Sequence, residues 1–110
     1  GIQIAQKLNV PFVLIRKAGK LPPPTINESY DLEYGQATIE INPNYIKEGD
    51  RVLIHDDVLA TGGTAEACAK LINKCGGKIS QFSFIVDLTF LNGKGKLAPF
   101  TEEIISLTEY

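Results

Sequence analysis

The pattern of apolar and polar positions predicts a chain of alternating strands and helices. Apolar runs predict four strands, at residues 12–15, 52–54, 81–87 and 104–107. The first two runs are continuous, which is typical of strands buried on both faces of a parallel sheet. Between Ala65 and Cys75, apolar residues recur near the 3.6-residue period and predict a helix that stops at Gly76 and Gly77. A shorter pattern predicts a helix over residues 2–9, and the elements together indicate the α/β class.

A second pattern predicts a β-hairpin between the first two buried strands. Tyr30, Leu32 and Tyr34 alternate with acidic residues, and after Gly35 and Gln36 the alternation resumes through residues 38–41. Two alternating segments around a glycine-containing turn are typical of a hairpin. Directly after it, Asn42 and Pro43 predict a short helical turn that Asn42 caps.

The last third of the chain predicts further core residues and a turn. In the predicted strand at residues 81–87, we expect Phe82, Phe84, Ile85 and Val86 in the core. The segment from Asn92 to Lys96 contains two glycines and two lysines and predicts a turn.

Length and charge limit the classes of function. The chain has 110 residues, enough for one domain or part of one, and a formal net charge of −2. Without a long basic run, this charge argues against nucleic-acid binding by electrostatic attraction. No apolar stretch is long enough to cross a membrane, and the sequence does not start with a charged leader and cleavage site. We therefore expect a soluble, cytoplasmic protein.

The cysteines and the single histidine have ordinary structural interpretations. Cys68 and Cys75 lie on one face of the predicted helix, about 10 Å apart along its axis, which is too far for a disulfide. Their spacing matches no zinc motif, so we expect two reduced thiols in the core. His55 lies in a predicted buried strand, and we expect a satisfied core or interface group there instead of an acid or base.

The strongest functional signal is the stretch from residue 51 to residue 64. Asp56 and Asp57, the aspartate pair, follow the buried run at the carboxyl end of its strand, the edge where open α/β sheets bind ligands. Next comes a small-residue loop that leads into the predicted helix: Ala60, Thr61, Gly62, Gly63 and Thr64. Its backbone amides and hydroxyls can approach an anion, and the positive end of the helix dipole adds attraction.

Two common phosphate loops do not fit this stretch. A Walker loop requires a lysine before its Ser or Thr, and here Gly63 precedes Thr64 directly. The dinucleotide fingerprint requires three spaced glycines, and this loop has only two. Adjacent acids at a strand end also bind Mg²⁺ in phosphoacceptor receiver domains, but the small-residue loop favours ribose plus phosphate. The arrangement is the one expected for a ribose 5-phosphate.

These residues also carry a family resemblance. Residues 54–64 resemble the phosphoribosyl pyrophosphate (PRPP) signature of type I phosphoribosyltransferases. Residues 16–22, 32–35 and 88–97 resemble segments of the adenine phosphoribosyltransferase family in the same order and spacing. The resemblance covers nearly the whole chain, and four separated matches are more specific than one loop.

The resemblance implies a fold and a reaction. The fold is a mostly parallel sheet flanked by helices, with a β-hairpin arm, in a single domain over residues 1–110. Because a strand precedes the first helix in the family, the resemblance also implies that an amino-terminal part is missing, including a hood over the base. The reaction converts adenine and PRPP to AMP and pyrophosphate with Mg²⁺, which PRPP carries without direct protein ligands, in a homodimer.

The same resemblance assigns roles to individual residues. Asp56 and Asp57 hold the ribose hydroxyls, and the small-residue loop holds the 5-phosphate. Arg16 faces pyrophosphate together with Lys17 and Lys20, although a solvated loop has the same composition. Glu33 assists proton transfer to or from the purine, and Tyr34 belongs to a mobile lid. Two alternatives remain open: a non-catalytic PRPP- or nucleotide-binding module of the same fold, and an inactive truncated fragment.

Overall fold

The computed structural model describes residues 13, 15–17, 19, 23–31 and 35–110. Within them lie six strands, two α-helices and two 3₁₀ turns, the turns at Pro43–Tyr45 and Thr89–Leu91. The strands and helices are β1 (Arg16–Lys17), β2 (Ile26–Asp31), β3 (Gln36–Ile41), β4 (Arg51–Leu59), α1 (Gly63–Lys74), β5 (Lys78–Asp87), α2 (Gly93–Leu97) and β6 (Ile104–Glu109). The helix expected over residues 2–9 lies outside the described residues.

A parallel sheet of three strands, in the order β4-β5-β6, is the centre of the fold. Ile54 pairs with Phe82 in the register of β4 and β5, and α1 connects these two strands and packs against both. The strand prediction at residues 52–54 was too short, because β4 continues through Leu59. The polar residues that end the apolar run are still paired with β5, since backbone pairing does not require an apolar side chain.

The helix prediction is confirmed. The buried side chains of α1 are all small or aliphatic: Ala65, Ala67, Ala69, Leu71 and Ile72. The helix ends where the sequence indicates, because Gly76 has φ +91°, a left-handed conformation that stops a helix. Cys68 and Cys75 are free thiols, as expected, although each is only partly buried.

The second sheet is antiparallel, with the order β1-β3-β2, and contains the predicted hairpin. β2 begins at Ile26, earlier than the alternation indicates. The prediction of a parallel strand at residues 12–15 was wrong for the two members that are described: Val13 and Ile15 lie outside the strands and pack against the core. The strand nearby is β1, which pairs antiparallel with β3. Core packing alone explains an apolar residue here, without a strand.

Lys74, in the last turn of α1, joins the hairpin to this helix. Its Nζ lies 3.0 Å from the carbonyl oxygen of Asn27 and 2.9 Å from Oε1 of Glu28, both on β2. These two contacts hold the hairpin next to the helix that follows the small-residue loop.

The predicted turn after the hairpin is also confirmed, since the Asn42 side chain accepts a hydrogen bond from the Asn44 amide at 2.9 Å.

The end of the chain departs from the prediction at two points. Phe82 and Phe84 on β5 are fully buried, as expected, but Ile85, also expected in the core, is 42% exposed because it points to the other face of the strand. The glycine- and lysine-rich segment after Asn92, expected to be a turn, forms the short helix α2. The final strand, β6, is confirmed.

Candidate functional site

The aspartate pair lies inside β4, three and two residues before its last residue. The sequence placed the pair just beyond a shorter strand, and the structure corrects this position. Both side chains are exposed, and Oδ1 of Asp56 accepts a hydrogen bond from the Asp57 amide at 2.8 Å. Successive residues of a strand point to opposite faces, so the two carboxylates diverge. Both exposed carboxylates nevertheless lie near the end of the sheet where the small-residue loop begins.

The small-residue loop surrounds a cavity of about 70 Å³. Asp56 and all five residues of the loop line this cavity, together with Val58, Leu59 and Ala65. The structure thus brings one aspartate of the pair and the whole loop around one concavity. Its volume is enough for water or for the edge of an anion.

The geometry of α1 at this cavity suits an anion. Gly62 is the N-cap with φ +90°, and it offers no side chain to the first amides of the helix. The first amides of a helix have no partner within the helix and carry partial positive charge. An anion in the cavity would meet these amides together with the hydroxyls of Thr61 and Thr64.

A larger polar cavity, of about 320 Å³, lies between the hairpin and the start of α1. It shares Gly63 with the first cavity, and its other lining residues are Ser29, Tyr30, Asp31, Gln36, Glu66, Lys70 and Lys96. The sequence analysis assigned no site role to any of these seven. They come together from three separate parts of the chain, and the only local signal was their nearness in sequence to the hairpin and to the segment after residue 88.

Several predicted site residues are described only in part or not at all. Arg16 and Lys17 form β1, where they pair with Glu40 and Ile39. They directly follow the strand predicted at residues 12–15, and β1 belongs to the antiparallel sheet, not to the sheet that contains β4. Lys20, Glu33 and Tyr34 lie outside the described residues.

The surroundings of Cys68 disfavour the ionised form of its thiol. Burial, and secondarily the negative charge of Asp56, raises the pKa of its thiol to about 12. Burial also raises the pKa of Cys75. His55 is half-buried, and its Nδ1 lies 3.4 Å from Oγ of Ser83, which agrees with the expected structural role. Across the described part of the chain, no group of three or more His, Cys, Asp or Glu side chains is placed to hold a metal ion.

The described helices include none that combines the length and apolar character needed to span a membrane.

Comparison with known proteins gives consistent matches. Residues 2–99 match the family profile described as phosphoribosyl transferase domain. The chain is 54% identical over 110 residues to the adenine phosphoribosyltransferase of Cytophaga hutchinsonii, and this match covers 61% of that protein. The chain thus spans about three-fifths of the length of the curated relatives it matches.

Solved structures match as well. The crystal structure of adenine phosphoribosyltransferase from Thermoanaerobacter pseudethanolicus has a TM-score of 0.95 and 46% identity, covering 100% of this chain and 63% of that one. The Saccharomyces cerevisiae enzyme, crystallised with D-2,5-dideoxy-2,5-imino-altritol 1,6-bisphosphate and adenine, has a TM-score of 0.91 and 38% identity, covering 97% of this chain and 59% of that one. The fold predicted from the sequence, a parallel sheet with helices and a hairpin arm, is confirmed.

Proposed function

Because the chain belongs to the phosphoribosyl transferase domain family, we propose that it carries the PRPP-binding core of an adenine phosphoribosyltransferase. The reaction joins adenine to the ribose of PRPP and yields AMP and pyrophosphate. One observation carries the proposal: the acidic end of β4 and the uncapped start of α1 enclose one cavity, lined by the small-residue loop. The names of the similar proteins support adenine as the base.

The cavity and the exposed carboxylates beside it suit the two ends of a ribose 5-phosphate. In the proposal, the 5-phosphate occupies the small-residue loop, where the amides at the start of α1 and the hydroxyls of Thr61 and Thr64 donate hydrogen bonds to it. The exposed carboxylates of Asp56 and Asp57 accept hydrogen bonds from the ribose hydroxyls. The S. cerevisiae relative was crystallised with adenine and a bisphosphate, which agrees with a site for a phosphorylated sugar beside a base.

The chemical step needs charge neutralisation and a proton acceptor. The bond between C1 of ribose and the pyrophosphate oxygen breaks, and the electron pair leaves with pyrophosphate. We assign Arg16, Lys17 and Lys20 to this leaving group, because cations stabilise the charge that develops on it. A ring nitrogen of adenine then forms the new bond to C1 and loses its proton to Glu33, the proposed base. Tyr34 is assigned to a lid that keeps water from the reactive sugar.

The proposal includes Mg²⁺ as a companion of PRPP. Mg²⁺ prefers oxygen ligands and is commonly bound through one or two carboxylates plus substrate phosphates. In the proposal, phosphate oxygens of PRPP and water hold the ion without a direct protein ligand, and the exposed carboxylates of the aspartate pair stay available for the ribose hydroxyls. When bound, the ion would neutralise part of the pyrophosphate charge. Two further parts of the proposal are a homodimeric state, which the family resemblance implies, and a cytoplasmic location, which the sequence analysis leads us to expect.

The first experiment measures AMP formation from adenine, PRPP and Mg²⁺, with AMP binding measured on the same sample. We expect turnover, and we expect Asp57→Asn to abolish it. Glu33→Gln should lower kcat while PRPP still binds. The matched control is Glu103→Gln, an exposed acid just before β6, at the opposite edge of the sheet, which should leave turnover unchanged.

The outcomes separate the proposed enzyme from the other readings. If AMP binds but no turnover occurs, the defect lies in the parts of the relatives that this chain does not cover, and the assignment of the small-residue loop stands. If turnover is still absent after those parts are restored, the chain is a nucleotide-binding module and the catalytic proposal is wrong. If neither occurs, the proposed ligand of the small-residue loop is wrong as well. If turnover is normal in both Asp57→Asn and Glu33→Gln, the assigned residues are wrong although the activity is right.

A further inference from the structure

The first residue of α2 packs directly against the small-residue loop. Gly93 is buried, and a Cβ added to it would lie 2.5 Å from the carbonyl oxygen of Ala60 and 2.7 Å from Cδ1 of Leu59. In the other direction, a Cβ added to Gly62 would lie 2.7 Å from the carbonyl oxygen of Gly93. Two backbone segments therefore touch with no space for a side chain on either glycine.

The next residue, Lys94, ties α2 to the ends of two strands. Its Nζ lies 3.5 Å from Oδ2 of Asp87 at the end of β5 and 3.8 Å from Oε1 of Glu109 at the end of β6. The side chain of Asp87 is 1% exposed, and among the described residues neither of its carboxylate oxygens accepts a hydrogen bond. A buried carboxylate is costly without a compensating charge, and the ammonium group of Lys94 supplies that charge.

Backbone hydrogen bonds connect the same strand ends. The amide of Leu88 donates to the carbonyl oxygen of Leu59 at 2.9 Å, and the amide of Tyr110 donates to that of Asp87 at 2.9 Å. The ends of β4, β5 and β6 are thus joined next to Asp87. Lys94 holds α2 against these strand ends, and Gly93 in the same helix packs against the small-residue loop.

We propose that α2 is the support that fixes the small-residue loop in its phosphate-binding shape, and that Asp87 and Lys94 are its positioning residues. This inference rests on the proposed function of the loop. Phosphate binding by backbone amides requires that the amides point to one spot. Sites of this kind are sensitive to position, since a misplacement of about 1 Å can lower an enzymatic rate roughly 100-fold. Neither Asp87 nor Lys94 lines the cavity. Their proposed effect on phosphate binding is therefore indirect: they position α2, and Gly93 of α2 contacts the loop.

Two glycines of the same helix provide a matched test. Gly93→Ala forces Cβ against the backbone of the loop. Gly95→Ala makes the same change two residues later, where Cβ meets only the Asn92 side chain, at 3.1 Å, and this side chain can move aside. The readout is the dissociation constant of ribose 5-phosphate by calorimetry. We expect Gly93→Ala to weaken binding at least tenfold and Gly95→Ala to stay within twofold of the parent chain.

The ion pair is tested with charge variants of the full chain. Asp87→Asn and Lys94→Met should each weaken ribose 5-phosphate binding about tenfold, and Lys94→Arg should restore most of it by keeping the cation. Lys78→Met, at the amino end of β5, is the matched lysine control and should bind as the parent does. Where turnover is measurable, KM for PRPP should rise in the two disruptive variants while KM for adenine stays within twofold.

A purely stabilising role of the ion pair predicts a different result. In that case the variants would lower the urea midpoint but bind ribose 5-phosphate normally while folded, and the inference would be overturned. Should Asp87→Asn fail to fold, the comparison of Gly93→Ala with Gly95→Ala decides alone. A parent chain without affinity for ribose 5-phosphate also overturns the inference. A parent chain that binds it and shows the variant pattern but makes no AMP supports the supporting role of α2, because that role concerns phosphate binding and not the chemical step.

Discussion

The hydroxyl of Thr64, at the start of α1, donates a hydrogen bond to the hydroxyl of Tyr30 on β2, with 3.2 Å between the two oxygens. This bond joins the hairpin to the helix that follows the small-residue loop. Lys74 makes the corresponding connection at the other end of α1, so the hairpin is fastened at both ends of the helix. In the proposed site, the single hydroxyl proton of Thr64 would be donated to the 5-phosphate, and the Tyr30 hydroxyl would then donate its own proton to the Thr64 oxygen.

Removing only the Tyr30 hydroxyl should have a small effect on stability. A hydrogen bond of this kind contributes about 0.5–1.5 kcal/mol, and the exposure of this one favours the low end. We expect Tyr30→Phe to lower the free energy of unfolding by no more than about 1 kcal/mol, measured by urea denaturation. Tyr30→Ala should cost about 1–2 kcal/mol more, because the Tyr30 ring packs against the core. Equal losses in the two variants would contradict the assigned packing of the ring.

Gly62 and Gly49 allow the contact between the small-residue loop and α2 to be separated from backbone strain. Both glycines have positive φ, +90° and +85°. Alanine at either position would therefore adopt a left-handed backbone conformation, which destabilises the folded chain by roughly 1–2 kcal/mol. At Gly49 the new Cβ meets open space, whereas at Gly62 it meets the Gly93 carbonyl oxygen at 2.7 Å. We expect Gly62→Ala to be the less stable variant in urea denaturation and to lose ribose 5-phosphate binding. Gly49→Ala should bind normally, and equal behaviour of the pair would mean that the contact has no influence.

Cys68 should make the stability of the folded chain decrease at high pH. Its thiol pKa is about 12 in the folded chain against an ordinary value of 9.0, mainly because of burial. Above pH 9 the unfolded chain therefore loses this proton first, so the contribution of Cys68 to stability is complete below pH 9 and declines as pH rises toward about 12. The slope from one such group approaches 1.4 kcal/mol per pH unit. Cys68→Ala should lack this decline in urea midpoints measured between pH 8 and pH 10.5, and identical pH profiles would refute the shift.

The sequence predicts best those features that a continuous segment decides by itself. The period of apolar residues in α1 and the left-handed glycine that ends it are both local, and so is the Asn42 cap. The end of β4 was misjudged because an apolar run marks where burial ends, whereas Asp56 continues the backbone pairing with β5 opposite Phe84. Ile85 was misassigned for a related reason, since its apolar side chain does not reveal which face of β5 is covered.

The environment of the candidate site was harder to predict because its contacts join distant parts of the chain. Tyr30 and Thr64 are 34 residues apart, and nothing near either residue indicates the other. Gly93 and Gly95 suggested a turn, because glycine is usually found where the backbone must bend. In α2, however, Gly93 is required by its contact with Ala60. The candidate phosphate loop was visible in the sequence, while the support behind it was visible only in the folded chain.

The core of the parallel sheet should tolerate truncation far less than the exposed aromatic residues do. Phe82 and Phe84 are both buried on β5, with ring centroids 6.3 Å apart and the rings within 7° of parallel. Phe82→Ala removes a fully buried ring that the neighbours cannot replace, and we expect a loss of about 3–5 kcal/mol in the free energy of unfolding. Phe90→Ala is the matched control, because Phe90 is 74% exposed. This substitution should change the free energy of unfolding by no more than about 0.5 kcal/mol. Urea denaturation of the two variants checks the difference. A comparable loss in both would mean that Phe90 is covered in solution, and a small loss in both would mean that the β5 core is looser than the structure indicates.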